Sequence, residues 1–305
     1  MRKNKLIILL SFIIILLCIY VGIKSPVENF QNSRAIVFNL NGRAGFYSVL
    51  FFLCEAYIVA ERNNVDFYII DSEWPYKSEK GWHDYFSTLT VFDKSKESMY
   101  NDIIMCSHAN LNELKKHYTY NLTLSDYMDC IQQIYKLKDN IVSHANKIRG
   151  EMNNDYISIF IRRGDKITSG ESKFISTQDI LNQIHILPKD TIFVQTDDYT
   201  VIEEIKSLVP NKVHSIVPKT KRGSHHEKLL SLSPTERQAW TEEMLMGLYV
   251  CSYAKACWTD GSSNVGRFLK LYSHENTQIY KIENESYVFD TSRTTVNPAY
   301  AGSFQ

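Results

Sequence analysis

Apolar residues fall along this chain in distinct regimes. Residues 6–23 are 18 consecutive positions without a charge, with Arg2, Lys3 and Lys5 before them and Lys24 after. A hydrocarbon core needs roughly 20 residues at helical rise, so one N-terminal transmembrane helix is predicted. Residues 25–34 have no periodicity and read as a short stem. From residue 35 onward, short apolar runs alternate with stretches of helical period. A strand at 35–40 enters the loop Asn41-Gly42-Arg43-Ala44-Gly45, which opens an apolar helix at 47–61, and a second strand follows at 65–70. Residues 111–152 are polar and helical in pattern and bridge two halves. Strands at 156–161, 191–195 and 212–216 then alternate with helices at 176–186 and 199–208. A long helix at 234–252, a short strand at 255–259 and a helix at 265–272 follow. This is the βαβαβ grammar of a parallel, doubly wound sheet. The expected organisation is a tip and anchor at 1–24, a stem at 25–34, one α/β half at 35–150 and a second at 151–305.

Charge changes this picture in one respect. The 305 residues carry 34 basic and 34 acidic side chains. Setting aside the four basic residues of 1–24 leaves 30 basic against 34 acidic, a body of net charge −4. Phosphate-backbone affinity needs an uncompensated basic surface, so nucleic acid is not the expected partner. The basic cluster ahead of the span predicts a cytoplasmic N-terminus and a lumenal body. A cleaved signal peptide is the rival reading, but Val21-Gly22-Ile23-Lys24 lacks an A-x-A-like exit. Two sequons, at Asn121 and Asn284, are compatible with lumenal glycosylation. Cys54, Cys106, Cys130, Cys251 and Cys257 lie outside the span without a C-x-x-C pair. They imply no zinc site, and either one or two disulfides or free buried thiols fit.

Candidate chemistry gathers at the ends of three predicted strands. Arg162, Arg163 and Lys166 fall within five residues after the strand at 156–161, where open parallel sheets bind ligands. A diphosphate is the natural counter-charge, because arginine clamps phosphate oxygens with two parallel hydrogen bonds. Strand alternation sets Arg162 on the face of Ser158 and Phe160, and Arg163 on the other, so one arginine faces the pocket and one braces it. Gly164 permits a sharp turn and Asp165 can pair with an arginine; a surface salt-bridge loop is the plain alternative. Next come Asp197 and Asp198, the latter placed to cap the helix at 199–208; adjacent aspartates lack D-x-D metal spacing. Gly261-Ser262-Ser263-Asn264 then precedes a helix, giving an anion site or ordinary capping by Ser263 or Asn264. Residues 219–226 read as a mobile basic loop, with His225 and His226 lacking identifiable partners for a metal. Trp74, Tyr76, Trp82, Tyr85 and Phe86 either stack on sugar rings or pack between the halves. No G-x-x-x-x-G-K-[ST] loop is present, which excludes a P-loop kinase or sulfotransferase.

In order and approximate spacing, Arg162-Arg163-Gly164-Asp165-Lys166, Thr196-Asp197-Asp198 and Gly261-Ser262-Ser263 resemble the three peptide motifs shared by α1,6-, α1,2- and protein O-fucosyltransferases. The resemblance covers about residues 156–272, and Lys166 is more similar to the α1,6 and O-fucosyl branches. The loop ending at Gly45 and residues 74–86 look like the N-terminal half of such enzymes. The resemblance implies a GT-B-like fold, two Rossmann-like halves with a cleft between them. It implies GDP-fucose held mainly by the C-terminal half and inverting transfer without a metal; joined to the anchor reading, the expectation is a type II membrane glycosyltransferase of the Golgi or another secretory-pathway membrane, acting on a glycan acceptor. Position by position, it implies Arg162 on the donor β-phosphate and the departing GDP. Arg163, Asp165, Lys166, Asp197, Asp198, Gly261, Ser262 and Ser263 would lie around the donor. The family's base, a glutamate shortly after the lysine, falls on Glu171 with a one-residue insertion. A carboxylate suits that task, since it stays ionised while the leaving group gathers charge. Two positions depart from the pattern. Phe160 stands where the family often has histidine. An acidic position in the helix before the third motif appears as Gly247 in an ungapped match, with Glu243 or Glu242 as its replacement. Two alternatives follow: a transferase using another nucleotide sugar, or a catalytically silent, membrane-tethered carbohydrate-binding protein.

Overall fold

A computed structural model describes residues 33–42, 44–164, 174–184, 186–223, 226–260, 263–282 and 288–289. The apolar run 6–23, Arg43, Asp165, Lys166, Glu171, His225, Gly261, Ser262 and Asn284 lie outside them. No helix among the described residues is long and apolar enough to cross a membrane.

Two sheets organise the chain. The first comprises β1 (Arg34–Asn39), β2 (Asp66–Ile70) and β3 (Asp102–Ser107), all parallel in the order β2-β1-β3. Helix α1 (Phe46–Asn63) joins β1 to β2 and ends at Asn64, whose left-handed φ of 51° suits a C-terminal cap. The β3 strand answers no predicted element. It is an edge strand whose Met105 is exposed, so its apolar alternation is faint. The predicted helical stretch at 111–152 resolves into α2 (Asn112–His117), α3 (Leu124–Ile134) and α4 (Asp139–Glu151). Thr123 restarts the chain as α3 through a reciprocal capping box with Asp126.

The second sheet runs β6-β5-β4-β7-β8-β9, parallel except for the last pair. Its strands are β4 (Ile157–Ile161), β5 (Ile192–Thr196), β6 (Val213–His214), β7 (Ala256–Asp260), β8 (Gln278–Ile282) and β9 (Val288–Phe289). The helices are α5 (Thr177–Gln183), α6 (Thr200–Leu208), α7 (His226–Ser231), α8 (Pro234–Ser252) and α9 (Asn264–Tyr272). All five residues of β4 are buried, as expected of a central parallel strand covered on both faces. Ile157, Ile159 and Ile161 pack with Ile180, Ile202 and Ile205 of α5 and α6. Phe160 belongs to a separate apolar cluster that runs through α8 and α9 into the first sheet's layer.

That continuous core joins the two sheets. Tyr47 of α1 and Tyr135 set their rings 4.5 and 4.7 Å from Phe268 of α9. The Arg149 guanidinium at the end of α4 lies 4.1 Å over Tyr253, and Arg237 Nη1 donates to Lys77 O at 3.1 Å. The aromatic segment belongs to this core. Trp74, Tyr76, Trp82, Tyr85 and Phe86 are all buried, and Trp82 stacks on Phe86 at 4.2 Å. They are packing groups, which removes them as a sugar-stacking surface. The five cysteines of the body are free and buried.

Candidate functional site

Because β4, β5 and β7 are parallel neighbours, their C-terminal ends share one edge. Phe160 pairs with Gln195 on one side and Thr259 on the other. The residues just beyond this tier are Arg162, Asp197 and the loop into α9. The Ser158 hydroxyl donates to Cys251 O of α8 at 3.3 Å, which fixes the α8 side as the face that Phe160 and Arg162 follow in the alternation. Arg162, the first residue past β4, is half-buried.

Arg163 turns the other way. Its Nη2 donates to Thr177 Oγ1 at 3.3 Å and its guanidinium lies 4.4 Å over the Phe174 ring, on the α5 side. Thr177 in turn donates to Glu204. Burial lowers the Arg163 pKa from its usual value, opposed by the charges of Glu204, Asp197 and Asp198. Its backbone N–H donates to Asp197 Oδ1 at 2.6 Å, stitching the loop after β4 to the loop after β5. Gly164 then takes φ +45°, a left-handed turn that a side chain would strain.

The two aspartates separate. Asp197 is buried beside the Arg163 backbone. Asp198 Oδ1 accepts from the backbone N and hydroxyl of Thr200 at 2.9 and 2.8 Å, ordering the first turn of α6. The N-cap itself is Tyr199, so the expected capping by Asp198 acts from one residue further out. Ser263 is the N-cap of α9: its Oγ accepts from Gly266 N at 3.0 Å and donates to Asp260 O at 3.1 Å. Gly266 is required by close approach, since a Cβ there would sit 2.0 Å from Asp260 O. The glycine lets α9 begin directly over the end of β7, bringing its positive amino end to the edge that carries Arg162. Gly45, by contrast, has open space around its missing side chain at the start of α1.

Sequence reasoning overlooked one group of this region. Lys221, inside the run expected to be a mobile basic loop, is only 7 % exposed. Its Nζ pairs with Glu243 of α8 and lies 4.7 Å over the Trp240 ring. Glu243 Oε1 also accepts from Gln195 Nε2 at 2.7 Å. Glu243 and Glu242 are thereby distinguished: Glu243 faces the sheet, whereas Glu242 accepts from Gln238. Gly247 lies one turn on, where a Cβ would meet the Gln195 carboxamide at 2.0 Å. The Lys221 carbonyl accepts from Tyr199 N at 3.0 Å, tying this network to the Asp197–Asp198 loop. A cleft of about 330 Å³ opens here, lined by Pro218, Lys221, Leu229, Trp240 and Glu243. Lys221→Met leaves a buried carboxylate without its cation and should lower unfolding stability by about 3–5 kcal/mol. Adding Glu243→Leu should restore part of the loss, as read by denaturant unfolding of both variants.

Among the described residues, no group of three or more His, Cys, Asp or Glu side chains is arranged to hold a metal ion. Asn121 is exposed, with its carbonyl accepting from Arg62 Nη1 at 2.9 Å.

By sequence, the chain matches no protein-family model and no curated protein. By structure it is similar to fucosyltransferase NodZ from Bradyrhizobium, at 13% identity, TM-score 0.56, covering 84% of this chain and 98% of that one. It is also similar to the NodZ α1,6-fucosyltransferase co-crystallised with GDP, at 14% identity, TM-score 0.55, covering 83% and 96%. POFUT1 in complex with GDP-fucose matches at 9% identity, TM-score 0.51, covering 82% and 98%. At these identities the shared property is the fold.

Proposed function

We infer that this chain, which has the fold of NodZ and POFUT1, is an inverting glycosyltransferase that moves fucose from GDP-fucose to a glycan. The observation that carries the reading is the meeting of Arg162, Asp197 and the amino end of α9 at one edge of a parallel sheet. The same fold has been solved with GDP and with GDP-fucose in the two relatives named above. In this reading residues 35–150 and 151–305 are Rossmann-like halves with the substrate cleft between them, as in GT-B enzymes.

Arg162 places two parallel N–H donors on the β-phosphate, and the α9 amino end adds its dipole. The acceptor hydroxyl attacks the anomeric carbon from the face opposite GDP, the bond to the β-phosphate oxygen breaks, and GDP leaves with both bonding electrons. A carboxylate, with Glu171 as our candidate, takes the hydroxyl proton. Arg163 and Asp198 hold the loops in which Arg162 and Asp197 sit. No metal takes part, so a chelator such as EDTA should leave the rate unchanged; a rate restored only by a divalent cation would overturn that point. Residues 6–23 anchor the body as a single-pass type II protein of a Golgi or other secretory-pathway membrane, with Asn121 and Asn284 as glycan sites.

The test is a donor screen: the full chain, a mixed glycan pool and a set of nucleotide sugars, read by product mass. A gain of one deoxyhexose with GDP-fucose alone supports the reading. A gain with another sugar changes the donor, and no gain together with no GDP binding leaves a silent carbohydrate-binding protein.

A further inference from the structure

We propose that Cys54 with Cys130, and Cys251 with Cys257, are two dithiol–disulfide couples that close on oxidation and staple the fold, with Cys106 left as a free thiol. All five are buried and reduced in the structure. Four of them stand in contacting pairs. The Cys130 thiol on α3 donates to Cys54 O on α1 at 3.7 Å and also meets the Cys54 thiol. One turn earlier on α3, Tyr127 Oη donates to Glu55 Oε2 at 3.5 Å, which fixes the register of the two helices.

The second couple is set by the turn from α8 into β7. Ser158 of β4 is the register partner of Cys257, and its hydroxyl donates to Cys251 O at 3.3 Å. Cys251 and Cys257 thereby flank one residue, and their thiols are hydrogen-bonded to each other. A disulfide needs Cβ atoms about 3.5–4.5 Å apart, a separation that thiols in contact approach closely. Cys106 on β3 has a different neighbour, Glu55. Burial first and that carboxylate second push its thiol up to about 12.

Closure needs a two-electron oxidant, and a small-molecule disulfide such as oxidised glutathione supplies it. One cysteine thiolate attacks a glutathione sulfur, the glutathione S–S bond breaks, and one reduced glutathione leaves. The partner thiolate then attacks the mixed disulfide, the protein S–S bond forms, and the second glutathione leaves with the bonding pair. The two protons and two electrons lost by each cysteine pair end on the two glutathione thiols. Burial pushes the Cys130 and Cys251 thiols well above their usual range, so exchange proceeds through opening of the fold. The couples differ in effect. Cys54 and Cys130 are 76 residues apart, whereas Cys251 and Cys257 close a short loop. A long loop loses more freedom in the unfolded chain, so the first couple carries most of the stabilisation.

The full chain, purified reduced in detergent, is equilibrated with glutathione mixtures from reducing to oxidising, starting from both folded and urea-unfolded protein. Remaining thiols are trapped by alkylation and located by peptide mass. In the oxidising mixtures the expected products are linked Cys54–Cys130 and Cys251–Cys257 peptides, with alkylation only at Cys18 and Cys106. Oxidation should raise the thermal midpoint by about 5–15 °C, a shift lost in Cys54→Ala and mostly kept in Cys257→Ala. Each shift compares a variant with itself, so a lower baseline stability does not disturb it, and the peptide map of the unsubstituted chain decides the pairing even where a variant folds poorly. Alkylation of all six cysteines in the most oxidising mixture overturns the proposal. So do disulfides in any other pairing, or a midpoint that ignores the redox state of the unsubstituted chain.

Discussion

Arg162→Ala should lower fucose transfer by about a thousandfold or more, the loss expected when a preorganised donor to a developing anion is removed. The effect falls on the chemical step, because charge accumulates on the β-phosphate oxygen as the bond to the sugar breaks. The protein should remain folded. Arg162 is half-buried at the end of β4, while the packing of that strand is supplied by Ile157, Ile159, Phe160 and Ile161. Single-turnover kinetics with GDP-fucose, beside an unfolding curve, separate the two effects. Arg162→Lys keeps the charge without the paired donors and should fall between wild type and alanine. Arg163→Ala is the internal comparison. Its guanidinium lies over Phe174 and bonds Thr177, so its loss should appear mainly as reduced stability.

Glu171→Gln should leave GDP affinity within about twofold and reduce transfer by about a hundred- to ten-thousandfold, the range of general-base contributions. The substitution keeps size and polarity but removes the site that accepts the proton. Binding by calorimetry and turnover by product mass should therefore dissociate. Transfer retained at wild-type rate would move the base to another carboxylate. Transfer and GDP binding lost together would assign residue 171 to donor binding instead.

Legibility in the sequence varied with how locally each feature is determined. The α8 helix follows from Ser233-Pro-x-Glu236, whose capping box and first-turn proline set its start. The faces of β4 follow from strict alternation, with Ile157, Ile159 and Ile161 in one cluster, Phe160 in the other, and Arg163 on the α5 side. Features that depend on distant partners were not legible. Lys221 looks like one cation of a solvated run until Glu243, 22 residues on, and Trp240 enclose it. The Trp74–Phe86 aromatics have the composition of a sugar platform, and only the fold shows them enclosed. The strands β3 and β8 escape the sequence reading because several of their apolar residues are partly exposed, which blurs the inward and outward alternation. Charged residues also stand inside their registers, Asp102 in one and Lys281 in the other.

The central claim is that the Arg162 guanidinium grips a diphosphate, and comparing GDP with GMP on wild type and Arg162→Ala by calorimetry tests it most directly. The account predicts that wild type binds GDP at least tenfold more tightly than GMP, and that this preference largely disappears in the variant. Equal GDP affinity in the two proteins, or no preference for the second phosphate in wild type, would contradict it.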